Sequence, residues 1–133
     1  MKRIYLLIHR NPTIDEVENL KKNFKDIEMV ESSTKVRLFW EDVCFLTRAM
    51  SCDEFCKKIT EIIKDIKLKK ADIAWIEGNF FARKIVYQEL KALNIPVIYS
   101  IHGYECEKRE DINGDIVVIV KGDKFIGFEY ENG

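Results

Sequence analysis

Hydrophobic and polar positions along the chain alternate between the periods of strand and helix. Lys2 to Ile8 has a continuous apolar centre, Ile4-Tyr5-Leu6-Leu7-Ile8, the pattern of a strand buried on both faces of a parallel sheet. His9-Arg10-Asn11-Pro12 stops it. Thr13-Ile14-Asp15-Glu16 then has capping-box form, Thr at N-cap and Glu at N3, and the following helix puts Ile14, Val17, Leu20 and Phe24 on one side. Ile27 to Val30 predicts a short strand. Ser32 to Met50 has no clear period: Val36, Leu38, Phe39, Trp40 and Val43 fit a strand, a short helix or an irregular insertion. Order returns at Ser51-Cys52-Asp53-Glu54, a second capping box. Its helix runs to about Leu68 and ends in Lys67 to Lys70, cations that complement the helix C-terminus.

The clearest unit follows. Asp72 to Glu77 predicts a strand, Gly78-Asn79 a tight turn with Asn79 as N-cap, and Phe81, Ala82, Ile85, Val86, Leu90 and Leu93 the apolar stripe of a helix. Asn94 can end that helix, and Pro96 to Ile101 predicts another strand. Strand, helix and strand in about 30 residues make a parallel, right-handed βαβ unit. Together with the opening strand and helix this predicts an α/β fold: a Rossmann-like, mostly parallel sheet flanked by helices. Asn113-Gly114 signals a two-residue hairpin joining Tyr104–Asp111 to Asp115–Val120, and Lys121-Gly122-Asp123 predicts a further turn into Lys124 to Tyr130. The tail is therefore expected as an antiparallel extension.

The chain has 133 residues, a length suited to a single domain over 1–133. Lys plus Arg (22) nearly balances Asp plus Glu (23), for a net charge of −1. That excludes a polycation coating long nucleic acid and leaves room for a local basic pocket. The longest apolar runs are five residues, against about 20 for a membrane span. No membrane partner and a cytoplasmic location are expected. Cys44, Cys52, Cys56 and Cys106 form no C-x-x-C pair. Cys52 and Cys56 fall on the apolar side of their helix and are expected as buried thiols acting as small hydrophobes. No metal and no cofactor are expected.

In open α/β sheets ligands bind outside the carboxyl ends of the parallel strands. Three such ends gather His9, Arg10 and Asn11, then Glu77, Gly78, Asn79 and Phe80, then Ser100, His102 and Gly103. Both histidines of the chain fall on this rim, each a candidate for proton transfer or phosphate contact and each equally explicable as structural. Gly78 admits close backbone approach at a helix N-terminus, where unpaired N–H groups suit an anion, with Arg83 one turn in. Read plainly, Gly78 is a turn glycine. Phe80 can stack on a base or sit in the core. Lys108 and Arg109, among glutamates, fit either ligand contact or a charged edge strand that resists aggregation.

Asp72-Ile-Ala-Trp-Ile-Glu-Gly-Asn-Phe80 and Leu93-Asn-Ile-Pro-Val-Ile-Tyr-Ser100 resemble small CRISPR-associated proteins of the Csx type, in particular the Csx family numbered twenty. Those proteins carry a strand, Gln-Gly-Asp-Phe-Gly, a helix, and a Leu-Ile-Pro-Ile-Tyr-Ala-Thr-Thr strand leading into a charged hairpin. Their opening strand ends in Ser-His, similar to Ile8-His9. The resemblance spans most of the chain and is sharp over Asp72 to Arg109. Asn79 stands where the family has Asp, Phe81 where it has Gly, and Ser100-Ile101-His102 where it has Ala-Thr-Thr. The resemblance implies a CARF-like domain and a ring nuclease of type III CRISPR systems. Such an enzyme cleaves a cyclic oligoadenylate, with cyclic tetra-adenylate expected here, by metal-independent attack of a 2′-OH, as a homodimer. His9, Asn79 and His102 are then the catalytic candidates, with His9 favoured over His102 by the family's histidine. Arg10, Asn11, Gly78, Phe80, Arg83, Ser100, Lys108 and Arg109 are the ligand contacts. The departures keep open a binding module that senses or sequesters the same messenger without cutting it.

Overall fold

The structure, a computed structural model, describes residues 1–45 and 49–132. The chain runs β1 (Lys2–Leu7), α1 (Ile14–Phe24), β2 (Ile27–Glu31), α2 (Thr34–Phe45), α3 (Cys52–Leu68), β3 (Ile73–Ile76), α4 (Phe80–Lys91), β4 (Val97–Glu110) and β5 (Ile116–Tyr130). The five strands form one mixed sheet in the order β2-β1-β3-β4-β5. β1 is parallel to both β2 and β3, β3 is parallel to β4, and only β4–β5 is antiparallel. The expected α/β sheet flanked by helices, with an antiparallel end, is what forms.

Each face of the sheet has its own core. On one, α2, α3 and α4 bury Val36, Phe39, Trp40, Ile59, Ile62, Ile66, Val86 and Leu90 against Tyr5, Leu7, Ala74, Ile76 and Val97. On the other, Leu20 of α1 packs with Ile4, Ile8, Ile73, Trp75 and Ile98. β3 is buried at all four positions, as its unbroken apolar run requires. Helix starts follow their caps. The Thr13 side chain accepts from Glu16 N–H while the Glu16 carboxylate accepts from Thr13 N–H. Ser51 accepts from Glu54 N–H and Asn79 from Ala82 N–H. Asn94, at φ 58°, closes α4 with Ile95 N–H on Leu90 C=O and Asn94 N–H on Lys91 C=O, the Schellman arrangement.

Three local expectations change. The illegible stretch holds α2, and its residues 46–48 lie outside the described part. Cys52 and Cys56 are exposed: their stripe on α3 opens into a groove beside α4, which Cys56 lines, instead of a filled interface. The tail is a single long hairpin and not two turns. β4 runs unbroken through Tyr104, and Lys121-Gly122 forms a bulge where the β5 register slips against Glu105 and Cys106. Its tip is longer than a two-residue turn. Gly114 N–H bonds Asp111 C=O and Asp111 N–H bonds Asp115 C=O. The positive φ falls on Gly114 alone (79°), the type I turn with a glycine bulge.

Candidate functional site

Parallel pairing sets the carboxyl ends of β1 and β3 side by side, with β4 crossing the same rim at Ser100 to His102. There a polar cluster builds on the α1 side. The Arg10 guanidinium grips Glu16 with two bonds, 2.6 and 2.7 Å, and reaches Glu77 at 2.9 Å. Glu77 Oε1 accepts from Ser100 N–H at 2.6 Å and from the Ser100 hydroxyl. Ser100 Oγ lies 2.9 Å from His102 Nε2, and His102 Nδ1 lies 3.2 Å from Asp123 Oδ1. Glu16 Oε2, 4.0 Å from His102 Nε2, closes the circuit. Residues i and i+2 of a strand share a face, which is why Ser100 and His102 meet. Phe125 pairs with His102 across the hairpin and brings Asp123 within reach.

Glu16 is fully buried. Burial works to raise its pKa, but the Arg10 and Thr13 hydrogen bonds outweigh it and hold the carboxyl below its ordinary range. The Glu16 hydrogen bond is the main cause that keeps Arg10 charged against its own desolvation. Since the Ser100 hydroxyl donates to Glu77, its lone pair is left to accept from His102 Nε2. His102 Nδ1 faces a second carboxylate, so both ring nitrogens look at acceptors.

The other sequence candidates fall into separate places. His9 lies on the α2 side, edge-on to Phe45 with centroids 5.5 Å apart, and its Nδ1 is buried without a hydrogen-bond partner. Gly78, at φ 117°, is required by packing: a Cβ there would stand 2.1 Å from Cys44 Sγ and 3.5 Å from His9 Nδ1. Asn79 is spent on structure, capping α4 and donating to Val43 C=O at 3.4 Å. Trp40 Nε1 donates to Glu77 C=O at 2.7 Å, so α2 clamps the whole turn. Arg83 lies 4.1 Å over the Tyr99 ring and 2.7 Å from Glu131, with Phe80 5.4 Å away on its other contact. Asn11 is exposed, and its C=O accepts from Arg10 at 3.2 Å. Lys108 and Arg109 stand on the outer hairpin, six residues or more beyond His102, about 20 Å at strand rise. Arg109 pairs with Glu107 there.

The rim thus joins Arg10, Ser100 and His102 and leaves His9, Gly78 and Asn79 on the other side of the sheet. Sequence reasoning placed Glu77 on the rim without giving it a role, and missed Glu16 and Asp123. Glu77 was visible as a carboxylate closing a central strand. Glu16 looked only like a capping residue, and Asp123 needed the hairpin register. Among the described residues no group of three or more His, Cys, Asp or Glu is disposed to hold a metal ion, and no helix is long and apolar enough to cross a membrane.

The chain matches the family model described as "Uncharacterized protein MJ1673 family" over residues 1–128. It belongs to that family. No curated protein and no solved structure matches it. The matched span of the MJ1673 family includes the rim cluster, Asp123 of the hairpin among its residues.

Proposed function

We propose that this chain is a CRISPR-associated ring nuclease that opens cyclic oligoadenylate without a metal and so ends type III signalling in the cytoplasm. The observation that carries this reading is His102 at the carboxyl rim, hydrogen-bonded to Ser100 on one nitrogen and facing Asp123 on the other, 4.0 Å from Glu16. The four parallel strands β2-β1-β3-β4 with helices on both faces support the finer reading of the fold as Rossmann-like and CARF-like.

An RNA-type phosphodiester carries its own nucleophile. The 2′-OH loses its proton, its oxygen attacks the adjacent phosphorus in line, and the 5′-oxygen leaves with a proton. The products are a 2′,3′-cyclic phosphate and a free 5′-OH. The protein must align these atoms and move the protons. His102 is suited to hand a proton to the departing 5′-oxygen, because it stands at the rim with Ser100 Oγ 2.9 Å from Nε2 and Asp123 Oδ1 3.2 Å from Nδ1. Proton transfer of this kind contributes roughly 10²–10⁴-fold. Ser100 and Arg10 border the same spot, and two copies facing each other would present matching rims to a symmetric ring. Geometry favours His102 over His9, whose Nδ1 is buried without a hydrogen-bond partner on the other side of the sheet. Asn79, committed to its cap, favours the second reading, a module that binds the ring without cutting it.

Incubation with cyclic tetra-adenylate in EDTA tests the reading. Linear products ending in 2′,3′-cyclic phosphate are expected. His102→Ala should lower single-turnover cleavage far more than binding. Binding without cleavage would select the second reading. Neither binding nor cleavage of rings of any size would end both.

A further inference from the structure

β5 is an edge of the sheet, and its stretch Ile116 to Val120 is wholly apolar, where edge strands ordinarily carry charge, proline or a covering element. Ile116, Val118 and Val120 are 63%, 59% and 59% exposed, and Val117 and Ile119, on the opposite face, 37% and 38%. The backbone is open as well. Asp111 N–H bonds Asp115 C=O, so by the alternation of an antiparallel ladder Val117 and Ile119 exchange bonds with Arg109 and Glu107. Ile116, Val118 and Val120 then turn their N–H and C=O groups away from β4.

We infer that a second copy of this chain adds to this edge, β5 antiparallel to β5, with the two-fold axis through Val118. The sequence is self-complementary about that residue. Val118 meets Val118, Val117 meets Ile119, Ile116 meets Val120, and at each end Asp115 of one copy faces Lys121 of the other. The outward groups of Ile116, Val118 and Val120 supply about six backbone hydrogen bonds, two for each pair. Other registers are worse. An axis through Ile119 sets Asp115 against Asp123, and one through Val120 sets Ile116 against Lys124. Lys121 already approaches Glu107 of its own chain at 2.8 Å, which holds its ammonium on the face that Asp115 shares. The bulge at Lys121 and Gly122 (φ 138°) bends the strand there, which confines pairing to residues 115–121. Phe125, opposite His102, lies about 23 Å along the strand from Val118. Arm pairing therefore keeps the two rims apart and stands independently of the proposed activity.

Sedimentation equilibrium of the ligand-free protein tests this. A concentration-dependent dimer is expected. Val118→Lys, which puts two ammonium groups together on the axis, should abolish it. Asp115→Lys and Lys121→Asp should each weaken the dimer by roughly tenfold, since each turns two exposed attractive pairs into repulsive ones. The double variant, which restores opposite charges across the axis, should recover it. A monomer at every concentration, or a dimer indifferent to Val118→Lys, overturns the inference, and so does a double variant no better than the singles. Far-ultraviolet circular dichroism of each variant separates loss of pairing from loss of fold.

Discussion

β4 is one strand living in two environments. Its first residues, Val97 and Ile98, are 1% exposed and lie between two cores, paired with Ala74 and Trp75. Past Gly103 its strand partner is β5, and from Tyr104 to Glu110 no residue is buried. The inner part is held by area removed from water, about 25 cal/mol per Å² of apolar surface. The outer part is held by cross-strand pairs worth only 0.2–1 kcal/mol each. A two-stranded ribbon alone is marginal, so the arm depends on the body that anchors its base. The candidate cluster stands at the boundary between the two, where Ser100 still touches Glu77 of the body and His102 already faces Asp123 of the arm.

The sharpest break in the comparison is a truncation made in both regions. Trp75→Ala, inside the second core beside Phe128, should cost about 3–5 kcal/mol. Val118→Ala in the arm should stay within about 0.5 kcal/mol. Urea unfolding measured by tryptophan and circular dichroism signals, at a concentration where the protein is monomeric, checks both. Comparable losses would mean that the arm carries part of the core.

The glycines divide the same way. Gly78→Ala forces a Cβ into Cys44 at a φ of 117° and should cost about 3 kcal/mol or more. Gly114→Ala, at φ 79° with nothing within 4 Å, carries only backbone strain of about 1 kcal/mol. Thermal unfolding of the two variants compares them directly.

At the boundary, Glu16→Gln should lose about 2 kcal/mol at neutral pH, below the range for a wholly buried pair because the Arg10 side chain is 31% exposed. Since the folded Glu16 carboxyl is held low, its contribution is present above the unfolded value of about 4.3. It is lost as pH falls through the lower folded value. The stability of the native protein should therefore fall on acidification below about pH 4.3, and Glu16→Gln should flatten that fall. An unchanged acid profile would show that Arg10 does not hold the carboxylate in solution.

The mildest probe is alkaline. Burial, followed by the hydrogen bond to Asp65 at 2.5 Å, pushes the Tyr5 phenol far above its ordinary range. The stability it gives is full below about pH 10 and declines as pH rises beyond, where only the unfolded chain ionises there. Tyr5→Phe should cost about 1–2 kcal/mol and remove part of that alkaline decline, read from denaturation curves at pH 8 to 11.

Caps and strand ends were legible because they are local. Thr13, Ser51 and Asn79 announce helix starts within four residues, and Ile73 to Ile76 announces a strand buried on both faces without reference to anything distant. From these the sheet, and the rim where His9 and Glu77 come after their strands and β4 passes with Ser100 and His102, follow by the rules of parallel crossover. Other features depended on contacts between distant segments. α2 does carry a helical stripe, Val36, Phe39, Trp40 and Val43, all buried in the core, but exposed apolar Leu38 and Phe45 blur it in the sequence. Glu16 met the requirements of a cap so well that nothing local hinted at its grip on Arg10. His9 and His102, equal candidates by strand position, part company because their strands present them to opposite faces of the sheet. Asp123 reaches His102 only through a hairpin register that depends on two bulges. The chain alone determined which backbone segments could form and which ends would meet. Tertiary packing decided which side chains come within hydrogen-bond reach there, because that depends on facing direction and register, properties no local run of residues encodes.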